Sequence, residues 1–600
     1  MAQHPERYEL GESDVAVPPT GRPVVHARQG VISSRHYLTS MAGMRLLLNG
    51  GNAFDALVAA GFAAAVVEPI ASYSLAAEGV FMLHHPVSGD LLSLSGQGVA
   101  PERATREYYT SQGLNSIPTG PGNQAPLAFT VPGVVHAFIS LLEKYGTKPI
   151  DEVLAPAIEY AEQGIPHYEY MLERLKSPST VDQFRLYPPG GMEVFYEEGR
   201  VPRPGSVLVQ KGLAGVLKAM AQAGADGDRL DGLRAARNVF YEGEIAQTIV
   251  DCSQSVGGIL NAQDLSSYQS QYETPVKTSF KGYEIWGHDT WTQGPMLMQA
   301  LNMLEEIDLR GMGHNSPAYI HTITEVLNLC FADREAYYGD PGFAQVPIDG
   351  LVSKEYAAER VKAMNPTKAH GQMPPAGDPW RYSKAAKPDA PGQVRVPAAG
   401  AVGDDGGEDG TTHVSVLDRE GNMVCGTISG GSFGKSVFFP QIGCALSTRI
   451  EMFNCQEGHP NVVEPGKRPR TTLINYIVTK DGQPVMTIGC PGGDNQAQAN
   501  LQILLNTVIF GMDPQQAVEA PRFSSQSFPN SFYPHEYFPG RLRLEQGISL
   551  ETAQELDSMG HEVRRGATCG MGATVSKRDL ETGTMSTGAD PRRASYALGW

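Results

Sequence analysis

The chain has 600 residues, of which 41% are hydrophobic and 19% are charged, a balance typical of folded globular proteins and unlike that of disordered chains. Its length exceeds the size at which one hydrophobic core normally stops growing, so two lobes or one large layered domain are expected. Lys and Arg total 47 against 65 Asp and Glu, a formal net charge of -18. This acidity does not suggest the phosphate-neutralising surface that nucleic-acid binding needs, so no nucleic-acid partner is expected.

The sequence also bears on cellular location. The N-terminus lacks the apolar stretch that a secretory signal requires. The longest apolar run, residues 56–67, is shorter than the ~20 residues that span a bilayer. The seven cysteines form no CxxC pair, which favours reduced, buried thiols over a disulfide framework. We therefore expect a cytoplasmic protein with no membrane partner.

The first part of the chain predicts helices. Residues 41–51 read as a helix ended by Gly50 and Gly51, after which Asn52 can cap a second helix that Pro69 ends. Further helix-like segments, divided by Gly and Pro, continue to about residue 340 on the same criteria. Residues 1–364 are accordingly predicted to be a mainly helical region.

The pattern changes after residue 364. Residues 365–410 are rich in Pro, Gly and Asp and predict a flexible linker. Within residues 411–600, the strand-like segments THVSVLD and MVCGTIS are separated by the turn REGN, and TLINYIVT and PVMTIG by KDGQ. These segments predict two hairpins. A Gly-rich turn then leads into a helix whose first turn is predicted to carry Asp494.

The end of the linker offers a candidate nucleophile. Gly410 is followed by Thr411, which opens the first predicted strand. A threonine hydroxyl is a weak nucleophile unless a base lies beside it, and a free α-amine on the same residue would be such a base. Cleavage between Gly410 and Thr411 would create that amine. On this feature alone, a threonine that merely opens a strand is the commoner explanation.

The turn before the last-named helix is a candidate oxyanion site. Gly492 and Gly493 follow a predicted strand, and their unhindered N–H groups can converge near a helix N-terminus. Such donors stabilise the oxyanion of an acyl-transfer reaction by about 3 to 4 kcal/mol. A plain turn is the more common explanation of this motif taken singly.

A third motif leaves two alternatives open. Residues 429–436 nearly match a phosphate-binding loop and contain GxSxG and SxxK strings, both of which would make Ser432 a nucleophile. A phosphate-binding loop and a GxSxG nucleophile elbow both need a following helix, whereas β-branched residues and Pro440 follow here. The SxxK string has no such requirement. A nucleotide site and a Ser432 nucleophile are therefore kept as remote alternatives. Histidines show no metal-ligand spacing, so no metal site is expected.

The order of the motifs resembles the gamma-glutamyltransferase family across nearly the whole chain. The segments that carry the resemblance include GGNAFDALVAAGFAAAVVEP, GTTHVSVLDREGNMVCGTIS, KRPRTTL and GCPGGDNQAQ. It implies the four-layer αββα fold of N-terminal-nucleophile hydrolases, a proenzyme without a cofactor, and self-cleavage before Thr411. The mature subunits would span residues 1–410 and 411–600, and a homodimer of this pair is allowed.

The resemblance also implies residue roles. Thr411 would be the nucleophile and, through its new amine, the general base. Ser429 stands where the family places a hydroxyl that orients the nucleophile. Gly492 and Gly493 match the oxyanion-hole pair of the family.

The substrate-binding positions depart from the family. Thr471 and Thr472 stand at the paired serines that bind the donor's carboxylate, so hydroxyls are retained. Gln97 replaces an arginine that grips the glutamyl α-carboxylate, and Met452 replaces the acidic residue that receives the α-amine. Arg449 stands where a glutamine is usual and suggests an anionic acyl donor. Losing charged partners should weaken ordinary γ-glutamyl recognition.

The sequence therefore predicts a self-processing amidohydrolase or acyltransferase that acts on a small-molecule amide, which need not be a standard γ-glutamyl compound. The acyl-enzyme would be released to water or to an amine. The alternative from a different class is a family member that has lost catalysis and acts as a binding protein.

Overall fold

The computed structural model describes residues 20–187, 190–225, 227–388, 410–430, 433–566, 569 and 572–600. The strands of the described residues are Val25–Ala27 (β1), Gly30–Ser34 (β2), Glu78–His85 (β3), Asp90–Gly96 (β4), Ile165–Pro166 (β5), Val207–Leu208 (β6), Gln271–Glu273 (β7), Val276–Phe280 (β8), Tyr283–Gly287 (β9), Thr412–Asp418 (β10), Met423–Ser429 (β11), Phe438–Phe439 (β12), Cys444–Ala445 (β13), Asn475–Lys480 (β14), Gln483–Gly489 (β15), Phe523–Ser525 (β16), Arg541–Glu545 (β17), Glu562–Gly566 (β18), Thr574–Arg578 (β19), Met585–Ala589 (β20) and Tyr596–Gly599 (β21).

The α-helices of the same residues are Tyr37–Leu48 (α1), Ala53–Val67 (α2), Arg106–Thr110 (α3), Val134–Tyr145 (α4), Ile150–Gln163 (α5), Glu169–Lys176 (α6), Pro178–Leu186 (α7), Met192–Phe195 (α8), Lys211–Ala223 (α9), Arg229–Tyr241 (α10), Glu244–Ser255 (α11), Ala262–Ser266 (α12), Pro295–Leu304 (α13), Leu309–Met312 (α14), Pro317–Tyr337 (α15), Ile348–Leu351 (α16), Lys354–Arg360 (α17), Asn495–Val508 (α18), Pro514–Glu519 (α19) and Leu550–Ser558 (α20). Short 3-10 helices include Pro69–Ala71, Pro379–Tyr382 and Arg449–Met452.

Two seven-stranded antiparallel sheets form the centre of the molecule. The first has the order β1-β20-β19-β15-β14-β9-β8 and the second β21-β2-β10-β11-β3-β4-β7. Both sheets contain strands from before and after residue 410, and the two groups pair directly where β10 meets β2 and β11 meets β3. The two predicted regions are therefore interleaved rather than separate lobes.

The sheets pack face to face, with helices on both outer sides. Strands β10 and β11 of the second sheet contact β19 and β15 of the first. Helices α1 and α2 cover the second sheet, whereas α13, α18 and α19 cover the first. This arrangement confirms the predicted four-layer αββα fold, in which each sheet buries both faces.

The first two predicted helices are confirmed. The side chain of Asn52 accepts hydrogen bonds from the N–H groups of Phe54 and Asp55, and Asp55 returns the bond in a capping box. Every residue of α2 is buried, which explains the long apolar run in the sequence. No helix of the described residues is long and apolar enough to cross a membrane.

Both predicted hairpins are confirmed as β10–β11 and β14–β15. The helix after the Gly-rich turn is also present, but it begins at Asn495, so Asp494 precedes its first turn. The carboxylate of Asp494 does not cap this helix and instead contacts Arg334 and Ser531. All seven cysteines are free and buried, as predicted.

Residues 365–410 were predicted to be a linker, but the first part of this segment packs on the rest of the protein. The N–H of Gly377 donates a hydrogen bond of 2.9 Å to Asp333, which lies on α15. Trp380 in the same segment is buried. The packed region thus continues beyond residue 364, and residues 389–409 lie outside the described part of the chain.

Candidate active site

The predicted cleavage junction is held by a segment that follows α2. The N–H of Thr411 donates to the carbonyl oxygen of Ala71, and Arg35 Nη1 donates a hydrogen bond of 2.5 Å to the carbonyl oxygen of Thr411. Thr411 is 2% exposed and has a φ of 98°. A left-handed φ is a strained conformation for a β-branched residue. Hydrogen bonds therefore fix the backbone at both the N–H and the carbonyl group of Thr411, and the backbone between them is strained.

A buried carboxylate lies beside this junction. Glu68 Oε1 accepts hydrogen bonds from the hydroxyls of Thr39 at 2.7 Å and Thr412 at 3.3 Å. Burial raises the pKa of Glu68, and the positive charge of Arg35 opposes that rise. Glu68 thus links the end of α2 to the residue that follows Thr411.

Ser429 lies next to the same junction because of strand pairing. It is the last residue of β11, whose antiparallel register with β10 pairs Thr412 with Ile428. The N–H of the next residue, Gly430, donates to the carbonyl oxygen of Ser72. Ser72 has a φ of 54°, so the chain turns sharply here. The consecutive carbonyl groups of Ala71 and Ser72 thereby accept hydrogen bonds from Thr411 and Gly430, respectively.

The Gly-rich turn has the backbone that only glycine adopts without strain. Gly492 has a φ of 120° and Gly493 a φ of 54°. The carbonyl oxygens of both accept hydrogen bonds from the first turn of α18, which fixes the turn against the helix N-terminus. The neighbouring Asp494 is bound by Arg334 and accepts bonds of 2.7 Å from the N–H and hydroxyl of Ser531.

These elements surround a cavity of about 770 Å³. Its lining includes Thr411, Ser429, Gly493 and Arg449 of the predicted site residues, together with Gly410 of the cleavage site. Further segments also contribute to the lining, among them those that contain Ser72, Thr119, Arg174, Lys435, Asn530, Phe532 and Glu536. The fold therefore brings the proposed nucleophile, the proposed orienting hydroxyl and part of the Gly-rich turn to one cavity.

Other predicted substrate-binding residues are buried but do not line this cavity. Gln97 is 1% exposed, and its Oε1 has no hydrogen-bond partner among the described residues. Met452 lines a neighbouring cavity of about 570 Å³. Thr471 and Thr472 are each 1% exposed, and Gln293 donates to the carbonyl of Thr472 and to that of Gly493. Gly492 is likewise absent from the cavity lining.

Arg449 has an internal partner that the sequence analysis missed. Its Nε donates a hydrogen bond of 3.0 Å to Glu78 Oε1, and both side chains are 0% exposed. The hydroxyl of Ser447 donates to the same oxygen at 2.9 Å. Burial raises the pKa of Glu78 to about 7, with the positive charge of Arg449 opposing the rise. The expectation of an anionic acyl donor, drawn from Arg449 alone, did not include this carboxylate.

Sequence reasoning missed Arg35, Glu68 and Glu78. Glu78 offered one usable signal, because it is a single charge inside the apolar segment SLAAEGVFML, and a fully buried carboxylate requires a partner. Arg35 and Glu68 stand at helix ends, where isolated charges are common and give no signal.

The remote alternatives centred on residues 429–436 gain no support. Ser432 lies outside the described residues. The chain after it, residues 433–437, forms a turn that leads into β12 rather than a helix. Both a phosphate-binding loop and a nucleophile elbow would need that helix. In the described part of the chain, no three His, Cys, Asp or Glu side chains form a group that could hold a metal ion.

Comparison with known proteins places the chain in a family. Residues 39–600 match the family described as gamma-glutamyltranspeptidase. The glutathione hydrolase proenzyme of Bacillus subtilis (strain 168) is 30% identical over 574 residues, which cover 95% of this chain and 92% of the relative.

Two solved structures share the fold over nearly the whole chain. The structure of LmbA2991HD has a TM-score of 0.86 at 36% identity and covers 97% of this chain and 100% of its own. The cephalosporin acylase from Bacillus halodurans has a TM-score of 0.81 at 27% identity, with coverage of 98% and 99%. The chain belongs to the gamma-glutamyltranspeptidase family and is an amidohydrolase of the N-terminal-nucleophile type.

Proposed function

We propose that this protein is a self-processing amidohydrolase or acyltransferase whose nucleophile is Thr411. The observation that carries the proposal is that Thr411, Ser429 and Gly493 line one cavity of about 770 Å³. A hydroxyl, a second hydroxyl to orient it and a Gly-rich turn to receive an oxyanion are the groups that acyl transfer needs.

Self-cleavage would come first. Thr411 Oγ1 attacks the carbonyl carbon of Gly410, and the peptide nitrogen leaves as the α-amine of Thr411. Water then hydrolyses the resulting ester, which leaves a carboxylate on Gly410 and returns the hydroxyl. The left-handed φ of Thr411 supports this step, because the torsion disappears with the bond and its strain of about 1 to 3 kcal/mol is released.

Turnover would use the new amine as the base. The α-amine of Thr411 accepts the hydroxyl proton while Oγ1 attacks an amide carbonyl carbon, and the developing oxyanion lies at the turn that contains Gly493. The proton passes to the leaving amine, and an ester-linked acyl-enzyme remains. Water or a second amine then attacks the ester and releases the acyl group.

The two chains made by cleavage, residues 1–410 and 411–600, would remain together. Strand ladders join them in both sheets, including β10 with β2, β11 with β3 and β14 with β9. The proenzyme name of the Bacillus subtilis glutathione hydrolase is consistent with such processing.

The test is an intact-mass spectrum together with an anilide assay of wild type and Thr411→Ala. We expect wild type to give a fragment that begins at Thr411 and to release anilide, whereas Thr411→Ala stays uncut and inactive. Thr411→Ser should retain both properties because it keeps a hydroxyl.

A matched control is Ser415→Ala, which removes a buried hydroxyl of the same strand. Ser415 bonds to Thr487 at 2.6 Å and is not among the residues that line the cavity. This variant should be cut and active. A Thr411→Ala protein that is still cut and active would refute the proposal.

A further inference from the structure

The ion pair between Glu78 and Arg449 stands at the wall of the catalytic cavity. Arg449 lines the cavity, donates from Nε to Glu78 and from Nη1 to the sulfur of Met452 at 3.4 Å. Its Nη2 has no hydrogen-bond partner among the described residues, although the side chain is 0% exposed. The guanidinium therefore has one N–H donor group without a partner, whereas its positive charge is already paired with the carboxylate of Glu78.

A second buried carboxylate, Glu451, lies behind the lining of the cavity. Lys435 lines the cavity, and its charge and that of Arg449 both act on Glu451, which is fully buried. Among the described residues, the other charged side chains of the lining are Arg174 and Glu536. Two carboxylates, Glu78 and Glu451, thus lie behind the lining close to its cations Arg449 and Lys435.

We propose that Glu78 determines the specificity of the acyl subsite. While its carboxylate is paired with Arg449, the subsite favours an acyl group that ends in an uncharged oxygen acceptor, such as a primary amide, over one that ends in a carboxylate. This inference rests on the proposed function of the cavity and names the class of acyl group that it accepts.

The physical reason is charge balance in a buried space. An amide oxygen can accept the free Nη2 donor and adds no charge. A substrate carboxylate would add an anion beside Glu78, and like charges in a poorly solvated site repel strongly. It could bind well only if a proton were taken up, and Glu78 is the group that would hold it. Besides Arg449, the ionisable groups near Glu78 are Glu451 and Tyr268.

The experiment compares two probes of matched size, the mono-p-nitroanilide of glutaric acid and its primary amide. Dissociation constants are measured by calorimetry on the full-length Thr411→Ala chain, which cannot turn them over. In the background of intact Glu78 we expect the amide probe to bind about tenfold more tightly at pH near 8.5. Adding Glu78→Gln should reverse this preference, because the guanidinium then lacks its internal anion.

The control is Asp333→Asn, which removes the carboxylate paired at 3.2 Å with Arg360, a buried arginine that does not line the cavity. It should leave the preference unchanged. If the carboxylate probe binds more tightly with Glu78 intact, or Glu78→Gln does not alter the preference, or neither probe binds, the inference is overturned.

A second measurement needs no variant of Glu78, whose replacement could prevent folding. The ratio of kcat/KM for the two anilides is followed in wild type between pH 6 and 8.5. Because the pKa of Glu78 lies at about 7, the preference for the amide probe should rise about tenfold as this carboxyl ionises. A flat ratio would overturn the inference. Failure of the proposed function would appear differently, as turnover that survives Thr411→Ala.

Discussion

The guanidinium Nη1 of Arg35 donates a hydrogen bond of 2.5 Å to the carbonyl oxygen of Thr411. This bond fixes the peptide group that follows the predicted nucleophile. The carbonyl oxygen of Ala71 fixes the N–H of Thr411 itself. Both contacts come from the part of the chain before the cleavage site. Self-cleavage should therefore depend on residues far from Thr411 in sequence.

We expect Arg35→Met to slow self-cleavage by about tenfold or more, because small misplacements of reacting atoms can cost up to about a hundredfold in rate. Intact-mass spectra taken over time after purification measure the rate. Arg45→Met is the matched control, since Arg45 lies on α1 and its 2.8 Å ion pair with Glu159 is half-exposed. Equal rates in all three proteins would contradict the role given to Arg35.

The Gly-rich turn should not tolerate a side chain. Gly493→Ala imposes a β-carbon at a φ of 54° and should lower kcat by about tenfold through distortion of the turn, with a smaller effect on KM. Gly482→Ala is the control, because Gly482 has a φ of 75° and no atom within 4 Å of the added carbon. A Gly482→Ala enzyme equally impaired in kcat would mean that backbone strain alone explains the loss.

The buried pair of Arg334 and Asp494 should contribute strongly to stability. Their side chains are 0% and 1% exposed, and Asp494 also binds Ser531 through two hydrogen bonds. We expect Asp494→Asn to lower the free energy of unfolding by about 1.5 to 3 kcal/mol, because it removes the charge from a buried hydrogen bond while Arg334 keeps its second carboxylate partner, Glu335, at 2.8 Å. Glu420→Gln, in an exposed pair with Arg419, should change it by less than about 1 kcal/mol. Denaturant unfolding measures both values.

Stability should fall in mild acid because buried histidines resist protonation. Burial lowers the pKa of His288 and of His413 from 6.5 to about 3. The unfolded chain therefore takes up protons below pH 6.5, whereas these folded residues remain neutral until about pH 3. As the pH falls from 6.5 to about 3, each of these histidines lowers the free energy of unfolding by about 1.4 kcal/mol per pH unit.

The variant His288→Asn tests this linkage. His288 bonds to Ser93 at 2.8 Å and to Asn475 at 3.3 Å, so the variant should be less stable at pH 7. Its stability should nevertheless decline less steeply with acid than that of wild type. Parallel declines of the two proteins between pH 6.5 and 5 would show that His288 is not the group that resists protonation.

Local sequence signals were sufficient for several elements. Asn52 predicted the start of α2 because a cap acts on N–H groups two and three residues away. The turns at residues 419–422 and 480–483 predicted both hairpins, since the paired strands are adjacent in sequence. The motif order around Thr411 and Gly493 likewise indicated the family before any contact was known.

Contacts between distant parts of the chain were not accessible in this way. The pairing of β10 with β2 joins strands that lie more than three hundred residues apart in the chain, for example Val414 with Ser34. Gln97, Met452, Thr471 and Thr472 were assigned by resemblance, yet the structure places them outside the lining of the cavity that contains Thr411. Their roles remain predictions.

The sequence by itself determined the fold class, the helices and hairpins with local caps and turns, and the family, because these depend on neighbouring residues and on ordered motifs. Only the tertiary structure decided which charges meet. The pairing of Glu78 with Arg449, the grip of Arg35 on Thr411 and the burial that raises the pKa of Glu78 all arise where separate segments fold together and exclude water. The pKa and the pairing of a buried charged group depend on its partner, and that partner lies elsewhere in the chain.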